Sequence, residues 1–90
     1  MLLAVDIGNT NTKIAIADGH NVLHEWRIST DAKRTGDEYF SILRPLIRDA
    51  EIDVKKIDSA ILSSVVPALI GAFVIVSQHL IGKKPIIIGP

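Results

Sequence analysis

The most informative segment of the chain reads Leu2-Leu3-Ala4-Val5-Asp6-Ile7-Gly8-Asn9-Thr10-Asn11-Thr12-Lys13. Its apolar first half, which ends at Asp6-Ile7-Gly8, predicts a central buried strand. Thr12 to Ala17 then alternates aliphatic with small residues, which predicts a second strand. The polar residues between these strands therefore form a short connecting loop, and the carboxylate of Asp6 lies where the first strand ends.

The next segment completes a three-stranded antiparallel meander. Asp18-Gly19 is a turn signal between two alternating segments. The third strand runs from Val22 to Ser29, and its period of two places four side chains on one face: Val22, His24, Trp26 and Ile28.

A helix follows the meander. Thr35-Gly36-Asp37-Glu38 has the spacing of a capping box, in which the Thr35 hydroxyl and the Glu38 carboxylate each accept a backbone N–H. Apolar residues then recur at helical spacing, mainly Phe40, Leu43 and Ile47. Pro45 lacks an amide donor, so we expect it to kink the helix or to mark an irregular turn.

The second half of the chain predicts a strand, a helix and a strand. Ala60 to Ser64 is a short buried strand, Pro67 can open a helix that Gly82 ends, and a last strand covers Pro85 to Ile88 before Gly89-Pro90. The order β-β-β-α-β-α-β describes a mixed α/β sheet with helices on its faces, which is the ribonuclease H-like layout. We expect residues 1–90 to form one N-terminal lobe, with a second lobe absent from this chain.

An uncharged segment from Ser59 to Gly82 raises the question of a membrane span. Polar residues interrupt it, so a buried strand followed by a buried helix fits better, and we expect no membrane partner. The helix from Pro67 to Ile81 is apolar on all sides. It needs a cover from another domain or from a second copy, and we expect a homodimer.

Composition excludes several classes of function. Ten basic and ten acidic residues balance, without a basic cluster, which argues against nucleic-acid binding. A hydrophobic content of 48% excludes a disordered chain. The sequence contains no cysteine, so it has no thiol nucleophile and no Cys-ligated metal, which is compatible with a reducing cytoplasm. No basic segment precedes the first strand, so we expect no signal peptide.

The loop after the first strand carries the candidate chemistry. Asp6 can hold a hydrated Mg²⁺ at the mouth of a cleft. Gly8 lets a phosphate approach the backbone, Lys13 can add a point charge, and the side chains between them offer donors to phosphate oxygens: Asn9, Thr10, Asn11 and Thr12. The alternative is an ordinary hairpin, because Gly-Asn is a favoured turn dipeptide. Ser63 and Ser64 have two interpretations as well: they face the cleft, or they end the strand and help to start the helix.

Several separated motifs together resemble one family. Ala4 to Thr12 closely resembles the first phosphate motif of the type III pantothenate kinases, in the superfamily of actin, sugar kinases and heat-shock chaperones. The resemblance continues through Trp26 to Thr30, Arg34-Thr35 with Asp37 to Tyr39, and Ser63 to Pro67. It covers essentially the whole chain.

The resemblance implies ATP-dependent phosphorylation of pantothenate, the first step of coenzyme A biosynthesis, in the cytoplasm. It assigns Asp6 to the metal–phosphate group and residues 8–13 to the phosphate cradle, with Mg²⁺ and a monovalent cation, K⁺ or NH₄⁺, as cofactors. It also implies that the catalytic base, in a Gly-Ala-Asp-Arg segment, and the adenosine site lie beyond residue 90. We therefore expect this chain to be inactive alone. The alternative within the family is a non-catalytic transcriptional accessory module.

Overall fold

A computed structural model of the chain describes residues 1–89. The element order matches the prediction, with a 3₁₀ turn before β4 and another before α2. The elements are β1 Leu2–Ile7, β2 Asn11–Asp18, β3 Asn21–Ser29, α1 Gly36–Asp49, β4 Ser59–Ser64, α2 Ile70–Ile81 and β5 Ile86–Ile88. Pro90, the predicted end of the last segment, lies outside the described residues.

The five strands form one mixed sheet in the order β3-β2-β1-β4-β5. The meander β1, β2 and β3 pairs antiparallel, whereas β4 lies parallel to both β1 and β5. This confirms the predicted ribonuclease H-like sheet. It also means that β1 and β4 end at the same edge, where open α/β sheets bind their ligands.

Both helices share one hydrophobic core on one face of the sheet. Leu3, Val5 and Ile7 of β1 are buried in this core, whereas the alternate residues of the strand are less buried. Tyr39 of α1 and Phe73 of α2 join the helices, with ring centroids 4.6 Å apart. The sequence predicted helices on both faces. Within residues 1–89 the second face, which carries Ala4 and Asp6, is open, and we call it the open face.

A β-bulge in the hairpin of β2 and β3 corrects the predicted face of β3. The pairing register shifts between Ile16 and Ala17, so that Ile16 pairs with His24 but Ala17 pairs with Val22. His24, Trp26 and Ile28 share a face as predicted, but Val22 lies on the opposite one. The extra residue of the bulge has changed the alternation.

Helix α1 begins at the predicted capping box. The Glu38 N–H donates to the Thr35 hydroxyl at 3.2 Å, and the Thr35 N–H donates to the Glu38 carboxylate at 2.9 Å. The buried face is centred on Tyr39, Leu43 and Ile47, and Phe40 is only half-buried. The expected irregular turn at Pro45 is wrong, since α1 continues to Asp49. The free energy lost with one missing backbone hydrogen bond is smaller than the free energy gained by burying the Ile47 side chain in the following turn.

Helix α2 ends at Gly82, which adopts the left-handed conformation at φ 72° as its predicted C-cap. Its apolar circumference is covered more fully than the sequence suggested, because α1 packs closely against it. A Cβ added to Gly36 of α1 would lie 2.8 Å from the Ala72 carbonyl oxygen. Ile75 is the large apolar side chain of α2 that stays exposed, at 40%, whereas Ile86, Ile87 and Ile88 of β5 are exposed at 64, 50 and 48%. No helix within residues 1–89 is long and apolar enough to cross a membrane.

Candidate phosphate-binding site

The β1–β2 loop is closed by a short backbone hydrogen bond. The Gly8 N–H donates to the Asn11 carbonyl at 2.9 Å. A Cβ on residue 8 would lie only 3.0 Å from that same oxygen, which is tighter than ordinary van der Waals contact. Glycine at this position therefore permits the close approach of the two backbones, and its φ is not left-handed.

The polar tip of this loop is exposed. Asn9, Thr10 and Asn11 all present their side chains to solvent. The Thr10 carbonyl accepts the Thr30 N–H at 2.8 Å, which ties the loop to the residue after β3. The arrangement leaves amide and hydroxyl donors free to meet an anion at the edge where β1 and β4 end.

Thr12, the remaining donor predicted from the sequence, faces the core. Its side chain is fully buried, and its hydroxyl lies 2.8 Å from the Thr30 hydroxyl. Pairing with Ile7 places it on the helix-covered side of the sheet. The Thr12 hydroxyl therefore braces the loop from within, and it is not aimed at the open face.

Asp6 lies on the open face between two polar neighbours. In the sheet register Asp6 is opposite Lys13 on β2 and opposite Ser63 on β4. These three side chains line a depression on that face. Asp6 itself is exposed, and no ion pair within 4.0 Å joins it to Lys13 in the described residues.

The donor set suits a metal that arrives with phosphate. Within residues 1–89 no three His, Cys, Asp or Glu side chains cluster as a preformed metal cage. Mg²⁺ is commonly held by one or two carboxylates together with substrate phosphates, and it keeps several waters. A single exposed carboxylate beside a loop with exposed polar side chains fits that requirement, with Asp6 as the residue that would hold the ion.

The segment after β3 is anchored on both sides of Thr30, the residue that contacts the β1–β2 loop. The Asp31 N–H donates to the Tyr39 hydroxyl at 3.0 Å, and that hydroxyl donates to the Asp31 carbonyl at 2.9 Å. Arg34 lies over the Tyr39 ring at 5.0 Å and donates to the Ser29 carbonyl at 3.1 Å. Thr30, which holds Thr10 and Thr12, is thus fixed between two anchored residues.

Sequence reasoning missed one charged residue of the open face. Arg27 pairs with Lys13, so Arg27, Lys13, Asp6 and Ser63 form one row across four strands. Without the bulge, the register of Ala17 with Val22 would continue and place Trp26 opposite Lys13. The bulge therefore moves Trp26 toward the core and Arg27 into the row. No residue in the sequence marks this bulge.

Comparison with known proteins identifies the family. A family model described as type III pantothenate kinase matches residues 2–90. The chain belongs to this family. Curated type III pantothenate kinases from Syntrophotalea carbinolica and Geobacter sulfurreducens are 41% and 42% identical to the chain over 90 residues. Both matches cover 100% of this chain, but it spans only 35% of the length of either relative.

Solved structures confirm the fold. A ROK hexokinase from Thermus thermophilus superposes with a TM-score of 0.67 at 13% identity, over 98% of this chain and 34% of that protein. Thermus thermophilus RuvC superposes with a TM-score of 0.60 at 14% identity, over 99% of this chain and 61% of that protein. At such low identity the likeness concerns the architecture alone.

Proposed function

We propose that this chain is the ATP-phosphate-binding part of a pantothenate kinase, which transfers the γ-phosphoryl group of ATP to pantothenate at the start of coenzyme A biosynthesis. The single observation that carries the proposal is the position of Asp6. Its exposed carboxylate lies at the carboxyl end of β1, directly before the tight Gly8 loop. Family membership supports the choice of reaction.

The residues around the loop divide the work of binding the triphosphate. The side chains of residues 9–11 donate to phosphate oxygens, and Lys13 adds positive charge from the neighbouring strand. Gly8, whose N–H already donates to the Asn11 carbonyl, shapes the loop. Thr12 holds the loop in shape. Bound Mg²⁺, held by Asp6, would neutralise phosphate charge during transfer. A monovalent cation, K⁺ or NH₄⁺, belongs to the proposal through the family, as does a cytoplasmic location.

The catalytic base and the adenosine site lie, in this proposal, in a second lobe outside these residues. The chain spans 35% of the length of its relatives, which leaves room for such a lobe in the intact protein. Purified chain with ATP, Mg²⁺ and K⁺ should therefore bind nucleotide without pantothenate-dependent release of ADP. Turnover above background would place the base within this chain.

Asp6→Asn tests the assignment directly. The substitution keeps the side-chain volume but removes the charge that offsets Mg²⁺, so it should weaken Mg²⁺-dependent ATP binding by at least about tenfold. Asp18→Asn is the matched control, because Asp18 is an exposed aspartate at the other end of β2. Isothermal titration calorimetry with and without Mg²⁺ measures the ATP affinity of wild type and of both variants. Equal affinities of wild type and Asp6→Asn would refute the phosphate-loop assignment.

The same substitution can be carried to catalysis in a chimera. We suggest replacing the matching residues of the Geobacter sulfurreducens relative with this chain. In a coupled ADP assay, Asp6→Asn should then lower turnover by about a hundredfold, because preorganised charge is lost in the transition state. Full activity of that variant would contradict the proposed role of Asp6.

Exposed β5 favours self-association and a second candidate function. Ile86, Ile87 and Ile88 form an apolar edge strand, and such edges readily pair with another chain. We propose a homodimer, which sedimentation at micromolar concentration would detect.

The alternative function is a non-catalytic transcriptional accessory module that uses this edge for interaction. It predicts that Asp6→Asn leaves partner binding intact and that wild type binds no ATP.

A further inference from the structure

The structure separates the roles of the two adjacent serines at the end of β4. The Ser64 hydroxyl accepts the Val66 N–H at 2.9 Å and donates to the Val66 carbonyl at 2.9 Å. The Val65 N–H donates to the Ile7 carbonyl at 3.0 Å, which extends the pairing with β1. Ser64 therefore ends the strand and shapes the turn before α2.

Ser63 points the other way. Successive side chains of a strand alternate between faces, so Ser63 lies on the open face with Asp6, its register partner. It is half-buried, and its hydroxyl makes no hydrogen bond within residues 1–89, whereas Ser64 makes two. It also lines the depression that contains Asp6 and Lys13.

The distance between neighbouring strands sets what this hydroxyl can reach. Neighbouring strands of a sheet lie about 4.8 Å apart, so the register partners Asp6 on β1 and Ser63 on β4 are neighbours on the open face. A serine hydroxyl beside a carboxylate at that spacing can share a water with it, and Mg²⁺ keeps several of its waters when it binds to protein. The hydroxyl can both donate and accept, so it can serve a metal-bound water or a phosphate oxygen.

We propose that Ser63 is a positioning residue that holds the hydrated metal–phosphate group beside Asp6. The inference rests on the proposed function, because it requires Mg²⁺·ATP at the β1–β2 loop. Asp6 supplies charge from β1, Lys13 flanks it on β2, and Ser63 supplies a neutral hydrogen bond on β4. The three strands thus approach the ligand from adjacent positions in one row.

The test compares four variants of the 90-residue chain. Mg²⁺·ATP affinity is measured by titration, and the backbone amide shifts of Asp6 and Gly8 are followed by NMR. Ser63→Ala should weaken binding by about fivefold, equivalent to about 1 kcal/mol, as expected for one hydrogen bond. Ser63→Thr should restore the affinity to within twofold of wild type. Ser59→Ala is the matched control, since Ser59 lies on the same strand and face at the opposite end. Asp6→Asn is the fourth variant.

Each pattern of results has one meaning. Weaker binding by Ser63→Ala, with rescue by Ser63→Thr and an unchanged thermal midpoint, supports the positioning role. If Asp6→Asn abolishes binding but Ser63→Ala binds like wild type, this inference fails and the proposed function stands. If wild type and Asp6→Asn bind equally, the proposed function itself fails. If the midpoint of thermal unfolding is lower than that of wild type for both Ser63→Ala and Ser63→Thr, Ser63 has a structural role and the inference is overturned.

Discussion

Replacing Tyr39 by phenylalanine should loosen the β1–β2 loop, although Tyr39 itself does not belong to that loop. The Tyr39 side chain is fully buried, and its hydroxyl makes two hydrogen bonds with the backbone of Asp31, at 2.9 and 3.0 Å. Phenylalanine keeps the ring that contacts Phe73 and Arg34. The substitution therefore removes the two hydrogen bonds and leaves the core packing in place.

The expected loss of stability follows from those two bonds. Each intramolecular hydrogen bond contributes about 0.5–1.5 kcal/mol, so the free energy of unfolding should fall by about 1–3 kcal/mol. For a domain of this size, each kcal/mol corresponds to a shift in Tm of about 4–8 °C. Because Thr30 adjoins Asp31 and donates to the Thr10 carbonyl, its amide should also exchange faster with solvent.

Urea and thermal denaturation monitored by circular dichroism measure the stability, and hydrogen exchange by NMR measures the Thr30 amide. Ser41→Ala is the control, since its exposed hydroxyl donates to the Glu38 carbonyl within the same helix at 2.7 Å. It should change stability by less than about 0.5 kcal/mol. A Tyr39→Phe protein as stable as wild type, with unchanged Thr30 exchange, would refute the bracing role of Tyr39.

Two further predictions concern the ends of elements. Glu51 follows α1 with a φ of 59°, and the N–H groups of Glu51 and Ile52 donate to the Arg48 and Ile47 carbonyls. Because glycine adopts this left-handed conformation without a Cβ penalty, Glu51→Gly should raise the free energy of unfolding by about 0.5–1 kcal/mol in urea denaturation. Glu51→Ala keeps the Cβ and should bring no such gain; an equal gain would contradict the strain argument. The pKa of Asp58 lies below its ordinary value of 3.8, because its side chain accepts a hydrogen bond from the N-terminal ammonium and because of a backbone hydrogen bond. A depressed folded-state pKa stabilises the fold above the unfolded value, and that contribution disappears as pH falls through the folded value. The Tm of wild type should therefore exceed that of Asp58→Asn above about pH 4 and converge with it at lower pH; a gap that stays constant down to pH 2.5 would contradict this.

The sequence predicts best those features that depend on neighbouring residues. The apolar run of β1, the Thr35–Glu38 capping box and the Gly82 stop are all confirmed, because a strand, a cap and a left-handed C-terminus each need only a few adjacent residues. The position of Asp6 at the end of β1 is local in the same sense. The phosphate-binding role given to it stays a prediction.

Features that depend on residues far apart in the chain could not be predicted from the sequence. The bulge that moves Val22 off the face of Trp26 reflects how the whole hairpin packs, and no turn residue marks it. Thr12 reads as a loop donor because it follows Asn11, yet its partner Thr30 is 18 residues away. Such contacts become visible only when β2 and the end of β3 lie side by side.

The arrangement also changes the meaning of the motifs that resemble the family. Alternation along β2 sends Thr12 into the core and Lys13 to the open face, so one motif both braces the loop and places a positive charge on the open face. The same division separates Ser64 from Ser63 on β4. Arg34 and Tyr39 hydrogen-bond to the backbone of residues 29 and 31, respectively. A residue in these motifs should therefore affect ligand affinity at constant stability when it lies on the open face, and stability first when it lies on the covered one.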